Sequence, residues 1–152
     1  MNDTEKVFLS IKIWRSKGQV ALHKPLLLLY ALWMYRQNHE RMIPYKKIDS
    51  DLAAIVQELQ IMSRPFRAYY PFWRLQNDDI WEVEHPEFIR VSSQGDAWKN
   101  DLDQFNPKGG VTVFIFTDLK NNNNLSLDIS ERIIQKFFDV NDRKNIQNLF
   151  KI

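Results

Sequence analysis

"PLLLLYALWMY", residues 25–35, contains no charged side chain in eleven positions. A bilayer crossing needs about 20 apolar residues, and basic residues lie close on both sides (Lys24 and Arg36). The stretch is therefore read as a helix at the centre of a globular domain. Pro25 suits its first turn, where a missing N–H costs no hydrogen bond. The helix is apolar almost all round, so neighbours must cover it on every side.

The neighbours are read outward from it. Thr4 is placed as the cap of a first helix, with Val7, Phe8, Ile11 and Trp14 at helical spacing. "SKGQ" at 16–19 is a loop, and "MIPY" at 42–45 ends the central helix. A third helix is expected from about Lys46 to Leu59, with Ile48, Leu52, Ile55, Val56 and Leu59 facing inward. A C-terminal helix should follow Asp128 or Ser130 and bury Ile133, Ile134, Phe137 and Phe138. "KNIQNLFKI" at the end is also helical. "PFWRLQ" and "IWEVE" are expected as two short strands around the turn "NDD", with Trp73 and Trp81 facing inward and Asp78-Asp79 shaping the turn. Residues 92–110 read as a polar loop. "VTVFIFTDLK" at 111–120 leaves helix and strand both open: its β-branched and aromatic content favours a strand, its length a helix. The expected fold is α+β and mostly helical, a single domain over residues 1–152, with a central apolar helix, surrounding helices and one short β-hairpin.

Composition narrows the function. The chain has no cysteine, which excludes disulfides and thiolate metal sites and fits a reducing cytoplasm. "MNDTEK" lacks the basic-then-apolar order of a signal peptide. The net charge is only +2, but it is unevenly spread. Eight Lys or Arg stand between Lys12 and Lys47 against Glu40 alone, while eight acids stand between Asp78 and Asp103 against Arg90 and Lys99. A basic half points to a polyanionic partner, although solvated helix faces have the same composition.

Catalytic signatures are few. Four glycines form no phosphate loop or dinucleotide fingerprint. His23, His39 and His85 share no ligand spacing. Asp103, with Asp118 and Lys120 at the end of an apolar run, could imitate the acid and acid-x-Lys pattern of a Mg²⁺-dependent nuclease. A winged-helix-like domain, with the hairpin as a wing on ordinary DNA, is a further alternative.

Five aromatic side chains, Phe66, Tyr69, Tyr70, Phe72 and Trp73, crowd into residues 66–73 among arginines and a proline. This segment and the central helix carry a family resemblance. "ALHKPLLLLYAL" (21–32) with "YPFWRLQNDDIWEVE" (70–84) resembles the sulfur-binding domain of type IV restriction endonucleases that attack phosphorothioate-modified DNA. "KGG" at 108–110 and the later "ERIIQKFF" are similar to the end of that domain, so the likeness spans most of the chain. Asp79 departs from it, because the family often has glycine in that turn. The family's later segment is helical, which favours a helix at 111–120.

The resemblance implies a reader of double-stranded DNA in which sulfur replaces one non-bridging phosphate oxygen. Sulfur is larger and more polarisable than oxygen and a weaker acceptor, so an apolar dent formed by Tyr70 and Pro71, with Arg74 beside it, would accept it. An oxygen left there without a donor loses about 1–3 kcal/mol, a preference of roughly tenfold to hundredfold. Ser16, Lys17, His23, Lys24, Arg67 and Lys108 are expected on the phosphate backbone, His23 and Lys24 at a helix start that favours anions. Gln76 and Asn77 are assigned to base reading, since amides pair with adenine. The family also implies no cofactor for this chain, a separate nuclease domain elsewhere in the parent protein that would use a divalent metal, and leaves a homodimer open.

Overall fold

The computed structural model describes residues 2–13, 15, 16 and 19–152, and side chains outside 14–20. Trp14 and Lys17 thus lie outside the described residues, as does the side chain of Ser16. Helix α1 (Asp3–Leu9) is capped by Asn2, whose side chain accepts the Glu5 N–H at 2.8 Å. Thr4, expected as the cap, instead lies buried inside the first turn. Its hydroxyl donates to Asp118 Oδ2 at 2.5 Å. A two-residue hairpin, β1 (Arg15–Ser16) and β2 (Gln19–Val20), replaces the expected plain loop.

Helix α2 (His23–Arg36) is the centre of the molecule. Leu26 to Leu32 are all inaccessible to solvent, and helices α3, α4 and α7 pack around it. Its last residue, Arg36, donates to the Ser126 and Ser130 hydroxyls at 2.9 and 3.2 Å and to the Phe150 carbonyl at 3.0 Å. That satisfies a largely buried charge while tying the chain's end to its middle. Helix α3 (Tyr45–Leu59) buries Ile48, Leu52 and Val56 as expected, with Ile55 and Leu59 at the edge of the core. Helices α7 (Leu125–Phe137) and α8 (Arg143–Leu149) complete the helical layer, α7 starting several residues earlier than its sequence suggested.

Two expectations are corrected. "PFWRLQ" is not a strand. It forms helix α4 (Tyr69–Arg74) and a 3-10 turn over Leu75–Asp78. Ala68, Pro71, Phe72 and Leu75 are the buried residues, and their spacing of three and four is helical. Pro71 stands in the first turn, so α4 loses no hydrogen bond to it. Asp79 then takes a left-handed conformation with φ of 57°, which explains why glycine suits this turn. Only "IWEVE" supplies a strand, β4 (Trp81–Val83). The expected hairpin of 70–84 is therefore absent, and so is the wing it would have formed.

The second correction concerns residues 92–120. The supposed loop contains helix α5 (Lys99–Phe105) and strand β5 (Lys108–Val111). Thr112 then caps helix α6 (Val113–Asn121), which buries Ile115 and Leu119 one turn apart. Burial at i, i+4 outweighs the strand preference of "VTVFIF". Strand β5 is the middle of a three-stranded antiparallel sheet, between β3 (Ile43–Pro44) and β4. Its glycines are there for packing. A Cβ on Gly109 would lie 2.6 Å from the Phe72 ring, and one on Gly110 would lie 2.1 Å from the Arg41 carbonyl oxygen.

Candidate nucleic-acid interface

The first turns of α2 and α4 come together where the sequence placed the site. His23, at the start of α2, stacks on Phe66 with ring centroids 5.0 Å apart and meets the edge of Tyr70 at 5.8 Å. Its Nε2 is buried without a hydrogen-bond partner. Burial, reinforced by the nearby Arg67 cation, holds the imidazole pKa below its ordinary 6.5, so the ring is neutral at pH 7. Arg67 itself is exposed. Tyr70 is half-buried. Pro71, expected with Tyr70 in the wall of an apolar dent, is buried.

Arg74 closes the other side. Its guanidinium lies over the Tyr70 ring, 5.5 Å from the centroid. It donates from Nε to Asp96 Oδ1 at 2.9 Å and from Nη2 to the Gln94 carbonyl at 2.6 Å. The loop that receives it is tightly built. Gly95 has φ of +90°, Gly95 N–H donates to the Ser92 carbonyl and Asp96 N–H to the Ser92 hydroxyl. Arg74 is thus an oriented cap over Tyr70 with its charge largely cancelled by Asp96. Phe66 and Asp96 were not singled out as site residues from sequence. Residues 92–110 read only as a polar loop, and nothing in them points to an arginine twenty-two residues before Asp96.

Lys24 faces into the protein. Its ammonium was expected on the DNA backbone, yet it is buried and donates to Asp78 Oδ2 at 2.6 Å and to the Lys12 carbonyl at 2.8 Å. Lys108 is exposed at the start of β5, where its N–H and carbonyl face Glu84; no described contact joins it to the His23–Tyr70 cluster. Gln76 donates to the Trp73 carbonyl at 2.9 Å, and Asn77 beside it is exposed. Both follow α4 directly, on the 3-10 turn.

The nuclease alternative does not survive this geometry. Asp118 and Lys120 lie on helix α6, not a strand, and residues two apart on a helix point to different faces. Asp118 accepts hydrogen bonds from Thr4 and Asn122, while Asp103 is paired with Lys99 at 2.7 Å on α5. A surface concavity of about 670 Å³ lies between α1 and α7 and is lined by Glu5, Asp128 and Glu131 with Arg132 and Lys136. Its carboxylates would repel a phosphate. No helix among the described residues is long and apolar enough to cross a membrane.

Residues 2–151 match the model of the family described as "ScoMcrA-like, DNA sulfur-binding domain". The chain belongs to the ScoMcrA-like DNA sulfur-binding domain family. Solved structures share the fold of this sulfur-binding domain. The sulfur-binding domain of ScoMcrA complexed with phosphorothioated DNA is 20% identical, with 99% of each chain covered and a TM-score of 0.82. That of SprMcrA, also complexed with phosphorothioated DNA, is 16% identical, covering 99% of this chain and 96% of the other, with a TM-score of 0.75. The type IV phosphorothioation-dependent restriction endonuclease ScoMcrA is 22% identical over 90% of this chain, which spans 25% of that protein, with a TM-score of 0.76. No curated protein matches the chain in sequence.

Proposed function

We propose that this domain binds phosphorothioate-modified double-stranded DNA, as the recognition module of a type IV restriction endonuclease whose nuclease domain lies elsewhere in the parent protein. The observation that carries the reading is the cluster at the first turns of α2 and α4. There a half-exposed Tyr70 ring, a neutral histidine and an exposed arginine meet on one surface, in a chain of the DNA sulfur-binding family.

The sulfur rests on the exposed part of the Tyr70 ring. The ring's one hydrogen-bond donor is the hydroxyl at its tip, and its face offers carbon. A phosphate oxygen pressed there surrenders its hydration for nothing, while sulfur gains dispersion contact and gives up less water. The remaining oxygens of the same phosphate have partners nearby. His23 Nε2 is the one buried ring nitrogen of the cluster left unpaired; in the tautomer protonated there it reaches a phosphate oxygen only when the Phe66 and Tyr70 rings packed against it shift on binding. Arg67 supplies an exposed cation to the neighbouring backbone. Arg74, neutralised by Asp96, keeps the Tyr70 ring in place and adds little to general DNA affinity. Asn77, exposed on the turn after α4, takes the base-reading role, with Gln76 behind it. Binding requires no cofactor or divalent ion, so a chelator leaves it unchanged.

The test is Tyr70→Ala in gel-shift titrations with two duplexes that differ only in one sulfur atom. Loss of the ring should erase most of a preference of about tenfold to hundredfold and change the affinity for the unmodified duplex little. If Tyr70→Ala keeps the full preference, sulfur is not read at this ring.

A further inference from the structure

Lys24 sits beside the proposed DNA surface with its charge facing into the protein. The ammonium lies 2.6 Å from Asp78 Oδ2 and 2.8 Å from the Lys12 carbonyl oxygen, and the Lys12 N–H donates to Asp78 Oδ1 at 2.8 Å. The two charged side chains are 8% and 2% exposed. Three separate parts of the chain are joined by these bonds: the first turn of α2, the end of the 3-10 turn after α4, and the segment that leads from α1 to the β1–β2 hairpin. Asp78 takes both partners at once, one on each oxygen. Lys12 likewise uses both its N–H and its carbonyl. Each of the four groups has a partner inside the knot, and the ammonium has two.

We propose that Lys24 is a positioning residue, a clamp that fixes the segment at Lys12 and the end of α4 against the start of α2, and that it makes no phosphate contact. The inference rests on the DNA-binding reading above and assigns one of its residues a different task. A phosphate-binding lysine presents its ammonium to water, ready to release counterions when DNA arrives. Lys24 is already desolvated and neutralised, and drawing it out would strand Asp78 as a buried, unpaired carboxylate. The clamp also explains the acid at position 78. A carboxylate beside a DNA surface opposes binding by simple charge, yet here it holds together the two elements that carry His23 and Tyr70.

Asp78→Asn, Lys24→Ala and the double variant test the proposal by fluorescence anisotropy with a phosphorothioate duplex, together with amide hydrogen exchange at Lys12. The clamp predicts that Asp78→Asn weakens binding on the order of tenfold, although it removes a negative charge. Lys24→Ala should weaken it similarly, and the double variant should be no weaker than the worse single one. The Lys12 amide should exchange faster in every variant, while core amides of α2 stay protected. Should Lys24→Ala fail to fold, the near-isosteric Asp78→Asn decides by the sign of its effect. Unchanged or tighter binding in Asp78→Asn overturns the proposal. So does a Lys24→Ala variant with an unaltered Lys12 amide and a salt slope smaller by about 0.9, the value of one lost phosphate contact. Failure of the DNA reading itself is distinguishable, because the parent protein would then bind the modified duplex no better than the plain one.

Discussion

Gly109→Ala separates a packing role for the "KGG" segment from a DNA-contact role. The added methyl would stand 2.6 Å from Phe72 Cε2, 2.9 Å from Phe72 Cζ and 3.0 Å from Trp81 Nε1. Carbon atoms pack at about 3.5–4.0 Å, so the Phe72 ring would have to retreat by ~1 Å. It has no free space to enter. Phe72 is inaccessible to solvent, and its ring meets Tyr45 at 5.1 Å and Trp81 at 6.2 Å, both edge to face. Overpacking of this kind costs about 1–3 kcal/mol. Three close contacts with two enclosed rings place this variant near the top of that range. At about 2–4 °C per kcal/mol for a domain of this size, the melting temperature should fall by roughly 6–12 °C. Thermal melts followed by circular dichroism measure it. Phe72→Leu, destabilising alone because it opens a cavity, should be less harmful in the Gly109→Ala background, since the shorter side chain vacates the space the methyl needs. A Gly109→Ala protein that melts within about 1 °C of its parent, or a double variant whose losses simply add, would refute the packing argument.

Other consequences follow from the ion pairs. Arg90 binds the Asp101 carboxylate through its side chain and its backbone N–H, holding that carboxyl at about 2, below its ordinary 3.8. Its contribution to stability is therefore complete above pH 3.8 and is lost as the pH falls through about 2. Urea melts across that window should show a shallower acid decline for Asp101→Asn. At the site, Asp96→Ala releases the guanidinium that lies over Tyr70. It should narrow the preference for sulfur by about two- to fivefold, the worth of one exposed cation–π contact, without lowering affinity for unmodified DNA in matched titrations.

The parts of the fold that were legible in the sequence are those where one period dominates. Residues 26–32 are apolar on every side, and only a central helix buries all of them. Helix α3 and the buried face of α7 carry the expected spacing of three and four. Helix α4 carried the same spacing at Ala68, Pro71, Phe72 and Leu75, but the turn signal "NDD" between it and "IWEVE" suggested a hairpin of two strands. What decides is that Pro71 stands in the first turn, where it breaks nothing. In α6, strand-forming residues are overruled by the Thr112 cap and by the depth at which Ile115 and Leu119 pack. The site divides in the same way. His23 and Tyr70 were placed by the resemblance of two motifs taken together, neither of which singles them out alone, and the fold brings them to ring contact. The partners of Lys24 and Arg74 were not legible. Asp78 and Asp96 lie 54 and 22 residues away in sequence, and a lysine at a helix start looks the same whether its charge faces DNA or a buried carboxylate.

The central claim is that this surface tells sulfur from oxygen on an otherwise identical phosphate. Equilibrium binding of the unaltered protein to two duplexes of the same sequence, one bearing a single phosphorothioate, measures it most directly when repeated over several core sequences at fixed salt. The account predicts at least one core at which the sulfur-bearing duplex binds about tenfold to hundredfold more tightly. Equal affinity for the two duplexes at every core sequence would contradict it.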